Sequence, residues 1–155
     1  MSSQKHVPAV VQASEGRKMT VIDTEVTLML SCAQTGGAFY TFAASVPPGS
    51  GVPPHVHQHE DEVVHITEGE FEIFLEGKTH KATAGAVLYF PRLVPHAFTN
   101  VGKTKGRALF VVSPGENFER FFTDLSALPA HQPPDMAKVV EIFERYDLKV
   151  LAKPV

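Results

Sequence analysis

Tryptophan is absent from the chain, and cysteine occurs once, as Cys32. A single thiol rules out an internal disulfide and suits a reducing compartment; Cys32 itself reads as a small apolar residue rather than a nucleophile. No apolar run reaches the roughly 18 residues that a membrane-spanning helix needs. The opening stretch "MSSQKHVPAVVQASEGRK" lacks the apolar core of a signal peptide, so a soluble cytoplasmic protein is expected. The formal net charge of -3 gives no electrostatic pull toward nucleic acid or an anionic membrane. No internal repeat stands out. What is there is an ordinary globular composition, 43% hydrophobic and 20% charged over 155 residues. A chain of this size buries about 68–70% of its unfolded surface and supports one core unaided, so residues 1–155 are expected to form one domain.

The first two thirds read as short strands. "KMTVIDTEVTLMLSCA", "GAFYTFAASV", "EVVHITEGEFEIFLEG", "KTHKAT", "AVLYF" and "GRALFVVS" are rich in Val, Ile, Thr, Phe and Tyr, and Gly or Pro punctuates them. Short strands at this spacing, with no helix between them, predict an all-β antiparallel sandwich or barrel over about 18–113. Glu76-Gly77 is placed at a hairpin turn. After Ser113 the period changes to that of a helix: Phe118, Phe121, Phe122 and Leu125 recur at i, i+3, i+4 and i+7. Ser113 is read as its N-cap, with Pro114 at the first helical position and Glu116 closing a capping box. A second helix is expected from Asp135, with Met136, Val139, Val140 and Phe143 on its apolar face and Asp147 near its end. The segment of about 114–155 is thus read as helical. Its phenylalanines are read first as packing between helix and barrel.

Six of the eight histidines fall between His55 and His96. In "PPHVHQHEDEVVHI" the residues His55 and His57 stand two apart, so in a strand their imidazoles share one face. Pro53-Pro54 stiffens the chain ahead of them. The acidic run Glu60-Asp61-Glu62 would ordinarily be a solvated turn. From Glu62, however, a strand "EVVHIT" begins; if Val64 and Ile66 line the core, Glu62 points inward with them and His65 points out. His59, His65, His80, His6 and His131 are read as surface or satisfied histidines. Two imidazoles on an apolar-lined face with nothing to bind would cost desolvation, so His55 and His57 are read as ligands. His96, in "AGAVLYFPRLVPHAFTNVG", supplies a third imidazole, with Phe98 and Asn100 on its face. Three imidazoles and a carboxylate suit a divalent transition metal, Mn, Fe, Co, Ni, Cu or Zn, with two positions of a six-coordinate ion left open.

These spacings resemble the cupin superfamily. Its first motif, G-x5-H-x-H-x(3,4)-E-x6-G, is filled by Gly49, His55, His57, Glu62 and Gly69; its second, G-x5-P-x-G-x2-H-x3-N, by Gly85, Pro91, His96 and Asn100, with Leu93 in place of the inner glycine. That departure puts a positive φ before His96 in question. The resemblance implies a jelly-roll barrel, or double-stranded β-helix, with two C-terminal helices. It also implies one metal per chain held by His55, His57, Glu62 and His96, and a homodimer. "VVSPGENFERFF" and "IFERYDLKVL" further resemble single-domain cupins grouped with quercetin 2,3-dioxygenases.

That finer resemblance implies a metal-dependent dioxygenase acting on a small enolic or phenolic aromatic, with Glu62 as catalytic base. Phe39, Phe42, Phe98, Phe118, Phe121 and Phe122 are its expected substrate pocket. The alternatives are a non-redox isomerase, epimerase or lyase using the metal as Lewis acid, or a small-molecule binder without turnover. A sugar-phosphate substrate would need convergent cations. Arg92 alone lies near a ligand, while Lys78, Lys81, Lys103 and Lys105 read as loop charges.

Overall fold

A computed structural model describes residues 5–151. Eleven strands form two antiparallel sheets stacked face to face. The larger sheet runs β1 (Arg17–Val21), β2 (Thr24–Leu30), β3 (Tyr40–Val46), β10 (Gly106–Ser113), β5 (Asp61–Glu68) and β8 (Val87–Phe90). The smaller runs β11 (Leu148–Val150), β4 (Gly51–His57), β9 (His96–Asn100), β6 (Glu70–Leu75) and β7 (Lys78–Thr83). This is the jelly roll expected from the sequence, and α2 (Glu116–Ser126) and α3 (Met136–Arg145) follow it. A one-turn helix, α1 (Cys32–Thr35), was not foreseen. Among the described residues no helix is long and apolar enough to cross a membrane.

Period-two alternation sorts the side chains. On β10, Ala108, Phe110 and Val112 point into the core, and on β5 Glu62, Val64 and Ile66 do the same while Val63 and His65 face out. Between the sheets the rings of Phe42 and Phe110 stack at 4.6 Å. The hairpin from β6 to β7 turns through Glu76 and Gly77, both with positive φ, which matches the right-handed twist of the strands it joins. The long first run of the sequence is two strands, broken at Ile22 (φ 60) and Asp23.

At Gly51 a Cβ would stand 1.9 Å from the carbonyl oxygen of Phe98, because β4 and β9 meet there backbone to backbone. Gly51→Ala is therefore expected to cost about 1–3 kcal/mol or more by overpacking. Urea unfolding checks this: an unchanged midpoint would mean that the strands can part at no cost.

Where α2 begins differs from the sequence reading. Gly115, and not Ser113, is its N-cap, and no side chain caps it. Ser113 still belongs to β10 and its hydroxyl donates to Ala38 O at 2.8 Å, so Glu116 closes no capping box with it. Gly115 lies so near Phe39 and Tyr40 that a Cβ would come within 2.6 Å of the Phe39 backbone. The second helix starts as expected, with Asp135 accepting from the amides of Ala137 and Lys138. Its buried stripe is Val139, Ile142 and Phe143; Met136 lies outside that stripe, 52% exposed. Asp147 takes φ 58 and turns the chain out of the helix. The chain then rejoins the barrel: β11 pairs with β4, Leu148 opposite His57 and Val150 opposite His55.

Candidate metal centre

Two sheets contribute to one cluster. His55 and His57 come from β4, His96 from β9 directly opposite His55, and Glu62 from β5 in the facing sheet. All four side chains are buried. The Pro53-Pro54 pair sits in β4 where its pairing with β9 slips between Val52 and His55, a place where missing amide donors do little harm. Beyond the slip, alternation turns His55 and His57 inward together.

One atom of each residue reaches a common point, and these four atoms lie within 4.8 Å of one another. His55 Nε2 and His57 Nε2 are 3.1 Å apart. Glu62 Oε2 is 3.6 Å from His57 Nε2 and 3.4 Å from His96 Nε2. Such edges are close to those between neighbouring donors held about 2.1 Å from one ion. The outer nitrogens fix the tautomers. His55 Nδ1 donates to Pro53 O at 2.8 Å and His96 Nδ1 to Val94 O at 3.0 Å, which leaves each Nε2 a bare lone pair facing inward. His96 Nε2 is buried with no hydrogen-bond partner among the described residues. Its approach to Glu62 is electrostatic proximity and not an aligned bond. Bare nitrogens converging beside a carboxylate are what a divalent cation needs, and so the residues fit a metal.

Electrostatics favour the ligand-ready forms. Burial, and then repulsion from His96 and His57, holds His55 well below the ordinary imidazole range, so it stays unprotonated at neutral pH. For Glu62, burial pushes the carboxyl up, but the neighbouring His96 and His57 outweigh it and the net shift is down. Rings hold the imidazoles in place: His96 stacks on Phe90 at 4.2 Å and 12°, and His57 on Phe118 at 5.8 Å and 15°.

The turn before His96 answers the question raised by Leu93. This residue takes φ 68 although it is not glycine. Its amide donates to His57 O at 2.8 Å, tying one ligand strand to the approach of the next. Left-handed backbone at a side-chain-bearing residue costs about 1–2 kcal/mol. On the same turn the Arg92 guanidinium grips both oxygens of Asp61, at 3.1 and 2.9 Å. Asn100, the last fixed position of the second motif, is engaged within the fold. Its amide donates to Val46 O and Thr104 O and its oxygen accepts from Gly102 N, latching the loop after β9.

His55, His57 and Glu62 line a cavity of about 360 Å³. Phe42, Phe98, Phe118, Phe121 and Phe122 line it, together with Phe110 and Phe143. Phe39 does not. It precedes β3 with a parity opposite to that of Tyr40 and Phe42, and its amide and carbonyl are bound to Thr35 Oγ1. Asp23, Gly49, Gly51, Pro53 and Met136 are exposed lining residues and mark the rim. Among the described residues no Lys or Arg lines the cavity. His59 and His65 stay outside, His59 paired with Asp147 at 2.9 Å.

Glu60 is a residue that sequence reasoning missed. It lies in the acidic run yet is only 1% exposed. Only Asp61 of that run faces solvent in part. The only hint in the sequence was a spacing of three from His57, too common to single it out.

Comparison with known proteins agrees with this geometry. Residues 42–112, which hold all four cluster residues, match the family model described as "Cupin domain". The chain is 35% identical over 82 residues to Protein SchB of Streptomyces halstedii, covering 52% of this chain and 59% of that protein. To polyketide synthase CurC of Streptomyces cyaneus it is 35% identical over 71 residues, 46% of each. To quercetin 2,3-dioxygenase of Bacillus subtilis it is 24% identical over 95 residues, 61% of this chain and 28% of that one. The chain thus spans about half the length of the first two relatives. Among solved structures it resembles the polyketide cyclase RemF of Streptomyces resistomycificus, with a TM-score of 0.61 and 25% identity over 71% of this chain and 81% of that one.

Proposed function

The chain is a cupin by domain and fold, and from that premise we propose that it is a metal-dependent dioxygenase of small, planar, uncharged enolic or phenolic aromatics. One observation carries the reading: a three-histidine, one-glutamate cluster opens on a cavity walled by phenylalanines and, among the described residues, free of Lys and Arg. An anionic sugar phosphate or dicarboxylate would find no counter-charge there, whereas a flat aromatic would find ring faces and edges.

His55, His57, Glu62 and His96 would hold a divalent ion, which would supply the Lewis acidity that makes an enolic hydroxyl easier to ionise. The protein does the rest. Phe42, Phe98 and Phe118 orient the ring and exclude water, and the Glu62 carboxylate takes the enolic proton. The ionised substrate is then electron-rich enough to react with dioxygen. Both oxygen atoms enter the product, so no external reductant is required, and Glu62 returns its proton.

A second reading has its own support in the likeness to CurC and RemF. The same enolate would then attack a carbonyl within the substrate, closing a ring with loss of water and without dioxygen. Oxygen uptake separates the two. Protein loaded in turn with Mn, Fe, Co, Ni, Cu and Zn is offered flavonols and other enolic aromatics. Uptake that requires both metal and substrate is expected, and Glu62→Gln should lose more activity than its metal loss explains. Product lighter by one water with no uptake would replace the dioxygenase with the cyclase. Tight substrate binding without product would leave a ligand-binding barrel.

A further inference from the structure

Of the three cluster histidines, two have Nδ1 fixed by a backbone carbonyl, Pro53 O for His55 and Val94 O for His96. His57 has none. Its Nδ1 is buried without a hydrogen-bond partner, and so is Glu60 Oε2. These two unpartnered atoms face each other at 3.5 Å. The other oxygen of Glu60 is held: Asn117 Nδ2 on α2 donates to Glu60 Oε1 at 2.7 Å and also to Tyr146 O, just past α3, at 2.8 Å. Because one amide nitrogen serves both acceptors, the side chain of Asn117 cannot flip without abandoning both.

We propose that Glu60 is the positioning residue of the metal site, accepting the His57 Nδ1 proton so that Nε2 points at His55 and Glu62. The inference rests on reading the four-residue cluster as a metal site. Hydrogen-bond direction then runs one way. Asn117 donates to Glu60, His57 donates to Glu60, and the lone pair left on Nε2 is free for the ion. Glutamine at position 60 cannot replace it. It has one oxygen for two donors, and its amide would face either Asn117 Nδ2 or His57 Nδ1 donor to donor. A buried carboxylate is costly to keep, and here Asn117 and His57 are the two groups that offset the cost. The arrangement also ties the helices to the site: α2 provides Asn117 and the turn after α3 provides the carbonyl that aims it.

Zinc affinity, measured by competition with a chromophoric chelator, tests this on wild type, Glu60→Gln and Asn117→Ala. The visible spectrum of the cobalt-loaded protein and the thermal midpoint of the metal-free protein are read in parallel. Glu60→Gln is expected to weaken zinc about 10–100-fold and to shift the cobalt bands, by more than the accompanying drop in the metal-free midpoint explains. Asn117→Ala, which leaves Glu60 in place but lets it turn, should weaken zinc in the same direction by less, and it carries the comparison if Glu60→Gln does not fold. Wild-type affinity and an unshifted spectrum in both variants would overturn the role of Glu60 while leaving the metal site intact. So would a loss of affinity that merely follows a lowered midpoint. No zinc bound by wild type would overturn the metal reading itself.

Discussion

His96→Ala is expected to leave the chain folded and unable to retain metal through dialysis, where wild type is expected to keep one ion per chain. The ring it removes is the one ligand from β9, aimed by Val94 O and clamped against Phe90. Three donors remain, and the gap opens on the side of the cluster opposite Glu62's sheet. The loss in affinity should exceed the roughly 10–100-fold that loss of an outer-shell partner costs. His59→Ala and His65→Ala are the controls. His59 is 58% exposed in its pair with Asp147, and His65 faces out from β5; neither reaches the cluster, so both should hold metal as wild type does. Elemental analysis of the dialysed proteins decides the matter, and equal loss in all three would end the ligand assignment.

Phe118→Ala is expected to have the largest effect on stability, about 3–5 kcal/mol, from lost transfer energy and the cavity left behind. Few side chains here touch so many elements. Phe118 is 4% exposed and lies against Phe42 of the larger sheet, Phe122 and Phe121 of its own helix, and the imidazole of His57. Deleting it unseats α2 and frees a ligand ring at once, so metal affinity should fall with stability. Met136→Ala is the contrast: at 52% exposure it should stay within about 0.5 kcal/mol of wild type. Urea unfolding of the metal-free proteins compares them. If the two variants cost the same, the phenylalanine cluster is not the anchor of the helix.

Local periodicity and ligand chemistry made much of this legible. Alternation alone puts His55 beside His57 and Glu62 beside Val64, and the structure keeps both pairings because each strand buries one face. What failed to show were contacts between segments far apart in sequence. Glu60 reads as part of a solvated acidic turn until Asn117 arrives from α2. Ser113 satisfies every local rule for an N-cap, but pairing with Asp61 across β10 and β5 keeps it in the sheet. Leu93 has no local licence for φ 68; the bond from its amide to His57 O is a tertiary reward. Met136 fits the helical period yet sits exposed at the first turn, on the cavity rim, and Phe39 is an aromatic of the wrong parity.

Leu148–Val150, lying along β4 beside the two histidines, has a consequence in time. A ribosome delivers β4 long before its outer neighbour β11, so until residues 148–150 emerge the strand bearing His55 and His57 keeps that edge raw. Such an edge invites pairing with the nascent chain of a neighbouring ribosome. Pro53 and Pro54 offer no amide to a passing strand, so the residues that stiffen the approach to the ligands also guard them while the protein is being made. When β11 arrives, Leu151 N takes Pro54 O at 2.8 Å, using the group that the prolines could not hide.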